Sequence, residues 1–303
     1  MNPIKLFRLC AICAISFTLA TFSTASAQTY TQIDYPNALL TEISGGPNVE
    51  GTAVGLWEDS NGVFHGFTVT STNTFKSFDP PGSIFTEPNF INYQGVVVGQ
   101  YLDSSAVSHG FILAAGKYTV VDAPGAAGTE ISSANDLGEL SGASCSDPAC
   151  GLTGNSTTNE SFVLSRAGTY TSFNPTGATS SESSTVSLLG AVVGDYTDDV
   201  GELNHGYLLS HGSYTTLDFP GATTGTFAGG GNVSNDVVGI YNYLSCSTDC
   251  NHAFWWHAGV YKSFDYPGAT FSEATGINSQ GVIGGIFTDS SGFTHGFIRT
   301  PSY

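Results

Sequence analysis

The fold turns on Asp265-Tyr266-Pro267-Gly268-Ala269, because near-copies of this stretch stand at 218–222 and 122–126, with variants at 79–82, 174–178 and 34–38. The copies open at Asp34, Asp79, Asp122, Asn174, Asp218 and Asp265, at spacings of 45, 43, 52, 44 and 47 residues. That period, with four strand-like runs per unit, is the signature of propeller blades. The expected fold is all-β: a six-bladed β-propeller of four-stranded blades.

One unit shows the plan. Pro80-Pro81-Gly82 makes a turn, 86–93 reads as a first strand, and Val96-Val97-Val98-Gly99-Gln100-Tyr101 as a β-branched second. His109 opens a third strand, Ala115-Gly116 turns the chain, and 117–121 forms the fourth. The same X-Gly pair at Ala167-Gly168, His211-Gly212 and Ala258-Gly259 predicts two-residue hairpins, since glycine accepts the positive φ that primed turns demand. Residues 29–34 match the fourth strand at 260–265 but lack the three strands before it, while the last unit runs out after three. The N-terminal strand is therefore expected to complete the last blade and close the ring, leaving no sheet edge open.

Residues 1–27 read as a secretory signal peptide: Lys5 and Arg8, a mostly apolar run over 9–22, and Ala25-Ser26-Ala27 as cleavage site. Residues 28–303 are then a single six-repeat propeller domain, secreted or extracellular (or periplasmic), with no membrane span once the leader is removed. Two of the seven basic residues and none of the 25 acidic ones lie in the leader, so the remainder carries a formal charge of −20. So acidic a chain does not seek nucleic acid or anionic lipid. Outside the leader, Cys145 with Cys150 and Cys246 with Cys250 form two close pairs, expected as local disulfides in an oxidising compartment.

Five units start their third strand with histidine, each with an aspartate 13 or 14 residues later: His65 with Asp79, His109 with Asp122, His205 with Asp218 and His252 with Asp265. His295 would meet Asp34 through the closure. Three of these pairs are centred on the X-Gly turn, which places His opposite Asp across a hairpin. In the remaining unit Glu160 replaces His and Asn174 replaces Asp, a coupled loss that a side-chain pair predicts and a ring of independent ligands does not. The pairs are read as structural hydrogen bonds. Gly55 with Trp57, Gly99 with Tyr101, Gly194 with Tyr196, Gly239 with Tyr241 and Gly285 with Phe287 share a strand face and read as core; of adjacent Trp255 and Trp256, one faces inward and the other outward.

Glu42, Glu87, Glu130, Glu182 and Glu273 each stand eight positions after the Asp or Asn of the turn, and by this count only Thr226 breaks the set. At the start of a propeller's first strand they would ring one mouth of the central channel. With so few basic residues available as partners, a bound cation such as Ca²⁺ is a candidate occupant; the competing reading has each carboxylate accept backbone amides of its own turn. The turns at Asp59-Ser60-Asn61-Gly62, Asp198-Asp199-Val200-Gly201 and Asp289-Ser290-Ser291-Gly292 fall short of a calcium-loop pattern and read as ordinary β-turns. No catalytic motif and no cofactor motif is found.

The repeat resembles the bacterial extracellular HAF-repeat family, on His252-Ala253-Phe254, the run 259–269, and Ser272-Glu273-Ala274-Thr275-Gly276-Ile277-Asn278-Ser279-Gln280-Gly281. The likeness spans essentially the whole chain after the leader and departs most in the third unit. It implies export and repeats, without site residues to carry over. The function expected is a non-catalytic, monomeric binding or interaction scaffold for a glycan, a cation or a surface protein at the acidic channel mouth. The alternatives are an extracellular propeller hydrolase or lyase using the channel carboxylates, and a cell-surface structural protein.

Overall fold

A computed structural model describes residues 28–153, 158–198, 203–242 and 251–301. The leader and the pair Cys246 and Cys250 lie outside the described residues. Six antiparallel four-stranded sheets follow one another around a ring. The first five blades are contiguous: 40–78, 85–121, 128–173, 178–217 and 226–264. In the sixth, Phe271–Ile277, Ile283–Thr288 and Thr294–Thr300 are joined by Thr29–Ile33, paired antiparallel to the outer strand from Thr29 opposite Thr300 to Ile33 opposite Gly296. The ring therefore closes as the repeat count predicts.

The core is built on the third strands. Phe67, Phe111, Phe162, Tyr207, Phe254 and Phe297, each two residues beyond the His or Glu position, are all but completely buried. Each lies directly opposite the glycine of its blade's second strand, as Phe111 does to Gly99. That glycine is needed for close approach: a Cβ on Gly99 would sit 2.1 Å from the Glu87 carbonyl oxygen, and one on Gly55 1.8 Å from that of Glu42. Every inner strand also carries a bulge just past this point, as between Pro88 and Phe90. The glycine thus makes room for the inner strand's backbone and the third strand's ring, rather than for the second-strand aromatic.

Neighbouring blades share their side chains. Ile33, from the N-terminal strand, packs with Ile43, Ala53, Phe67 and Val69 of the first blade, so the closure is also a hydrophobic seam. Ala115-Gly116, His211-Gly212 and Ala258-Gly259 each hold two consecutive positive φ angles, as two-residue primed hairpins require. Ala167-Gly168 differs. Only Gly168 has positive φ, and the pair belongs to a longer loop between Leu164 and Tyr170, where the Ser165 hydroxyl accepts the Thr169 amide at 3.0 Å. A side-chain acceptor at the loop's first residue supports the wider turn.

Candidate functional site

Each of these five histidines opens its blade's third strand and is engaged at Nδ1 by the aspartate expected of it. Nδ1 of His65, His205 and His252 lies 2.8 Å from Asp79, Asp218 and Asp265, that of His109 3.0 Å from Asp122, and that of His295 2.6 Å from Asp34. On the other side, Nε2 of His65, His109, His205 and His295 faces Asp59, Asp103, Asp198 and Asp289 at 3.8, 3.7, 3.3 and 3.6 Å. Asp59, Asp103 and Asp289 accept backbone amides of their own turns, which holds their carboxyls below the usual range. These turns are asparagine-type caps on a histidine.

The imidazoles lie against the second-strand aromatics, with His65 over Trp57 at 4.8 Å between ring centres and His295 over Phe287 at 4.9 Å. In three blades a further ring completes a column: Tyr35 on Trp57 at 4.2 Å, Phe219 on Tyr241 at 3.6 Å, and Tyr266 on Phe287 at 3.7 Å. Asp34, Asp218 and Asp265 bind the histidine of one blade while the next residue stacks in the following blade. One dipeptide thus fastens two blades, and these histidines are occupied in structure. Because the Asp122 side chain is 50% exposed, a double-mutant cycle on His109 and Asp122 is expected to show a coupling of only about 1 kcal/mol by chemical denaturation. Strictly additive losses would contradict the pairing.

All five glutamates line one cavity of about 500 Å³ along the ring axis. They are half-buried on the inner strands, each paired across the sheet with a second-strand residue: Glu42 with Leu56, Glu87 with Gln100, Glu130 with Ala143, Glu182 with Asp195 and Glu273 with Ile286. In the fifth blade the residue in this register is Phe227, opposite Ile240, and not Thr226. Thr226 instead accepts the Phe219 amide at 2.9 Å, the role of Thr41 and Thr129 one position before their glutamates. An extra residue in the preceding loop shifts the count by one.

Asp195 is the acidic residue that the period concealed. It stands on a second strand, where other blades carry Leu, Gln, Ala or Ile, and the field of Glu182 and Glu273 reaches it, so it belongs to the same charged group. Polar groups fill the spaces between. Gln100 donates to Glu87 at 2.9 Å, Asn89 to Glu130 at 3.1 Å and to the Ile131 carbonyl at 3.2 Å, and Asn159 to Glu182. Hydroxyls lace the inner strands together: Ser184 donates to the Ala228 carbonyl and Thr275 to the Ile43 carbonyl, both at 2.7 Å. At the far end of the inner strands, Asn48, Asn135, Asn232 and Asn278 each accept turn amides of their own blade and donate to a carbonyl of the next.

Burial pushes every member of the ring up, with Glu87 and Glu273 adding their fields at Glu42, and Glu182 and Glu87 at Glu130. Glu42 and Glu273 are raised from 4.5 to about 7. A raised acid keeps in the folded state a proton that the unfolded chain has already released. Its penalty is absent below pH 4.5, grows between 4.5 and about 7, and is complete above that. Each such group contributes a slope of up to about 1.4 kcal/mol per pH unit in that window. The melting temperature is therefore expected to fall by several degrees from pH 5 to pH 8. The double variant Glu42→Gln/Glu273→Gln is expected to melt higher at pH 8 and to flatten the profile, as read by differential scanning calorimetry.

Among the described residues, no group of three or more His, Cys, Asp or Glu side chains could hold a metal ion. The Cys145–Cys150 disulfide is formed and closes a loop on the same face as the histidine columns. Trp256 is buried between blades, and Trp255 is half-buried with the Lys262 ammonium 5.0 Å from its ring centre. No helix is long and apolar enough to cross a membrane among the described residues.

No protein-family model matches the chain, and a search of curated proteins found no relative. Solved structures do resemble it. The six-bladed fungal lectin of Aleuria aurantia, described with a fucose recognition mode, aligns over 88% of this chain and 93% of its own at 11% identity and a TM-score of 0.52. AofleA from Arthrobotrys oligospora aligns over 90% and 87% at 10% identity and 0.52. A subtype N11 neuraminidase-like protein of A/flat-faced bat/Peru aligns over 91% and 94% at 10% identity and 0.52. At such identities the likeness establishes the fold, a six-bladed β-propeller.

Proposed function

We propose that this chain is an exported, non-catalytic propeller of the HAF-repeat type that binds carbohydrate at the carboxyl-lined mouth of its channel. The observation that carries this reading is the chemistry of the cavity. Carboxyls raised toward neutrality alternate with hydroxyls and carboxamides, so at neutral pH the wall both donates and accepts hydrogen bonds, as a polyhydroxylated ligand requires. A cavity of about 500 Å³ is also within the usual size of small-ligand sites, roughly 300–1,000 Å³. The disulfide fits an oxidising compartment. The lectins that share the fold give the reading a precedent in architecture alone.

Acid–base catalysis by two carboxyls needs environments that push their pKa values apart. Here five of the six blades place the same carboxylate at the same register of the ring, which favours a repeated binding surface over a single acid–base pair. A glycan array at pH 7 tests the proposal. Binding to at least one terminal sugar is expected, weakened about tenfold in the Glu42→Gln/Glu87→Gln/Glu273→Gln variant. An array with no bound glycan overturns it, and release of reducing ends from the bound sugar would make the protein an enzyme. Calcium is the competing occupant: a rise in melting temperature with millimolar Ca²⁺ over chelator would favour a cation in the ring.

A further inference from the structure

The third blade lacks its column entirely. Where the others place Trp57, Tyr101, Tyr196, Tyr241 or Phe287 on the second strand, this blade has Ser144, directly opposite Glu160, just as Tyr101 is opposite His109. Asn174 stands where the partner aspartate would be, and Ala123 where Tyr35, Phe219 and Tyr266 contribute the outer ring. The second-strand aromatic, the imidazole and its aspartate, and the outer ring that three blades carry are thus replaced by Ser144, Glu160, Asn174 and Ala123 at one position of the circle. The space they would fill is an open cavity of about 600 Å³, lined by Ser144, Ser146, Glu160, Tyr170, Ser172 and Asn174 among others.

This cavity is separate from the channel, since no residue lines both. Its wall is fixed. The Cys145–Cys150 bridge closes one side, the Pro148 carbonyl in that loop accepts the Ser108 amide of the second blade at 2.7 Å, and Asp147 accepts the amides of Ala149 and Gly151 at 3.1 Å. Its polar groups are left with capacity. Among the described residues the Glu160 carboxylate has no hydrogen-bond or ion-pair partner. The Asn174 carbonyl oxygen accepts the Ser181 hydroxyl at 2.5 Å, which leaves its amide group to donate. The chain is longer here, 52 residues against 43 to 47 in the other units.

We infer that this notch is a second ligand site, specific to the third blade, that takes a single neutral saccharide unit. A free carboxylate accepts two adjacent hydroxyls and the asparagine amide donates to a third; Ser144, which donates to the Glu160 carbonyl at 3.3 Å, can accept, and Ser146, which accepts the Thr158 amide and hydroxyl, can donate. The site is independent of the channel reading and survives its failure.

The remaining blades supply the test. The triple variant Ser144→Tyr/Glu160→His/Asn174→Asp rebuilds the column used elsewhere in the ring and should fold, with a melting temperature equal to or above that of the parent. Backbone amide shifts are followed by NMR during titration with methyl glycosides of glucose, galactose, mannose, xylose and N-acetylglucosamine, and with glucosamine, to tens of millimolar. At least one neutral glycoside is expected to shift the amides of Ser144, Glu160, Ser172 and Asn174 saturably. Affinity should fall at least tenfold in the triple variant and also in Glu160→Gln, while the channel variant Glu42→Gln/Glu87→Gln/Glu273→Gln binds at this site as the parent does. The proposal is overturned if no neutral glycoside shifts these amides, if only glucosamine does so, or if the shifts persist in the folded triple variant.

Discussion

A chain lacking residues 28–33 is expected to lose its cooperative unfolding transition and to aggregate. The six residues carry the whole outer strand of the sixth blade, so their loss leaves the backbone of Thr294–Thr300 as an exposed sheet edge. Ile33 leaves the hydrophobic seam with the first blade, and Tyr30 leaves its contacts with Tyr266 and Phe297. The hydrogen bonds of Thr29 to Thr300 and of Gln32 to His295 disappear with them. Against a net stability of roughly 5–15 kcal/mol for an ordinary domain, opening the ring at this seam removes most of the margin. Circular dichroism melting and light scattering report it. A synthetic peptide spanning 28–33, added in excess, is expected to restore the transition by refilling the strand beside Thr294–Thr300. A truncated chain that melts within a few degrees of the parent would show that the closure contributes little.

Gly99→Ala is expected to cost about 3 kcal/mol or more, in spite of adding only a methyl group. The new Cβ would meet the Glu87 carbonyl oxygen at 2.1 Å and Pro88 Cα at 2.6 Å, and both are backbone atoms that cannot rotate away. The strain falls beneath the inner-strand bulge and next to Phe111, so relief in either direction moves the core or the channel wall. Gly116→Ala separates this effect from the cost of an unusual backbone. Nothing lies within 4 Å of its Cβ, and only a φ of 77° opposes it, so about 1–2 kcal/mol is expected there. Denaturant midpoints for the two variants give the comparison; equal losses would mean that close packing at Gly99 is not what the residue is for.

The architecture could be read from the sequence because the turn does the same local work in every copy, with Asn37 taking the positive φ that glycine takes elsewhere and Asn174 standing for the aspartate, and because residues 29–34 match an outer strand and nothing else. The columns were legible for a related reason: Glu160 and Asn174 depart together, and only side chains that touch need to do so. Periodicity is blind to what happens once. It passed over Asp195, which is acidic on a single second strand, and it assigned Thr226 to the ring where Phe227 stands, because an inserted loop residue offsets the count. It also registered the third blade only as a missing His–Asp pair. That the aromatic rings are lost with them, at Ser144 and Ala123, leaving a cavity, depends on which residues share a column across different strands and blades, and spacing along the chain does not carry that information.

The lacing of the inner strands has a consequence for the order of events in folding. Thr275 reaches the Ile43 carbonyl across 232 positions of chain, and Asn278 reaches that of Asn48 across 230. Each of the other joints links neighbouring units and can form as soon as both are present. The last joint cannot, and bringing such distant segments together is slow compared with forming local hairpins. Five blades are therefore expected to assemble progressively from the N-terminal side, with strand Thr29–Ile33 waiting unpaired until the final hairpin is available. The rate-limiting step would be the docking of that strand, and a stopped-flow refolding trace should slow when Ile33 is replaced by alanine and change little when Lys117 is.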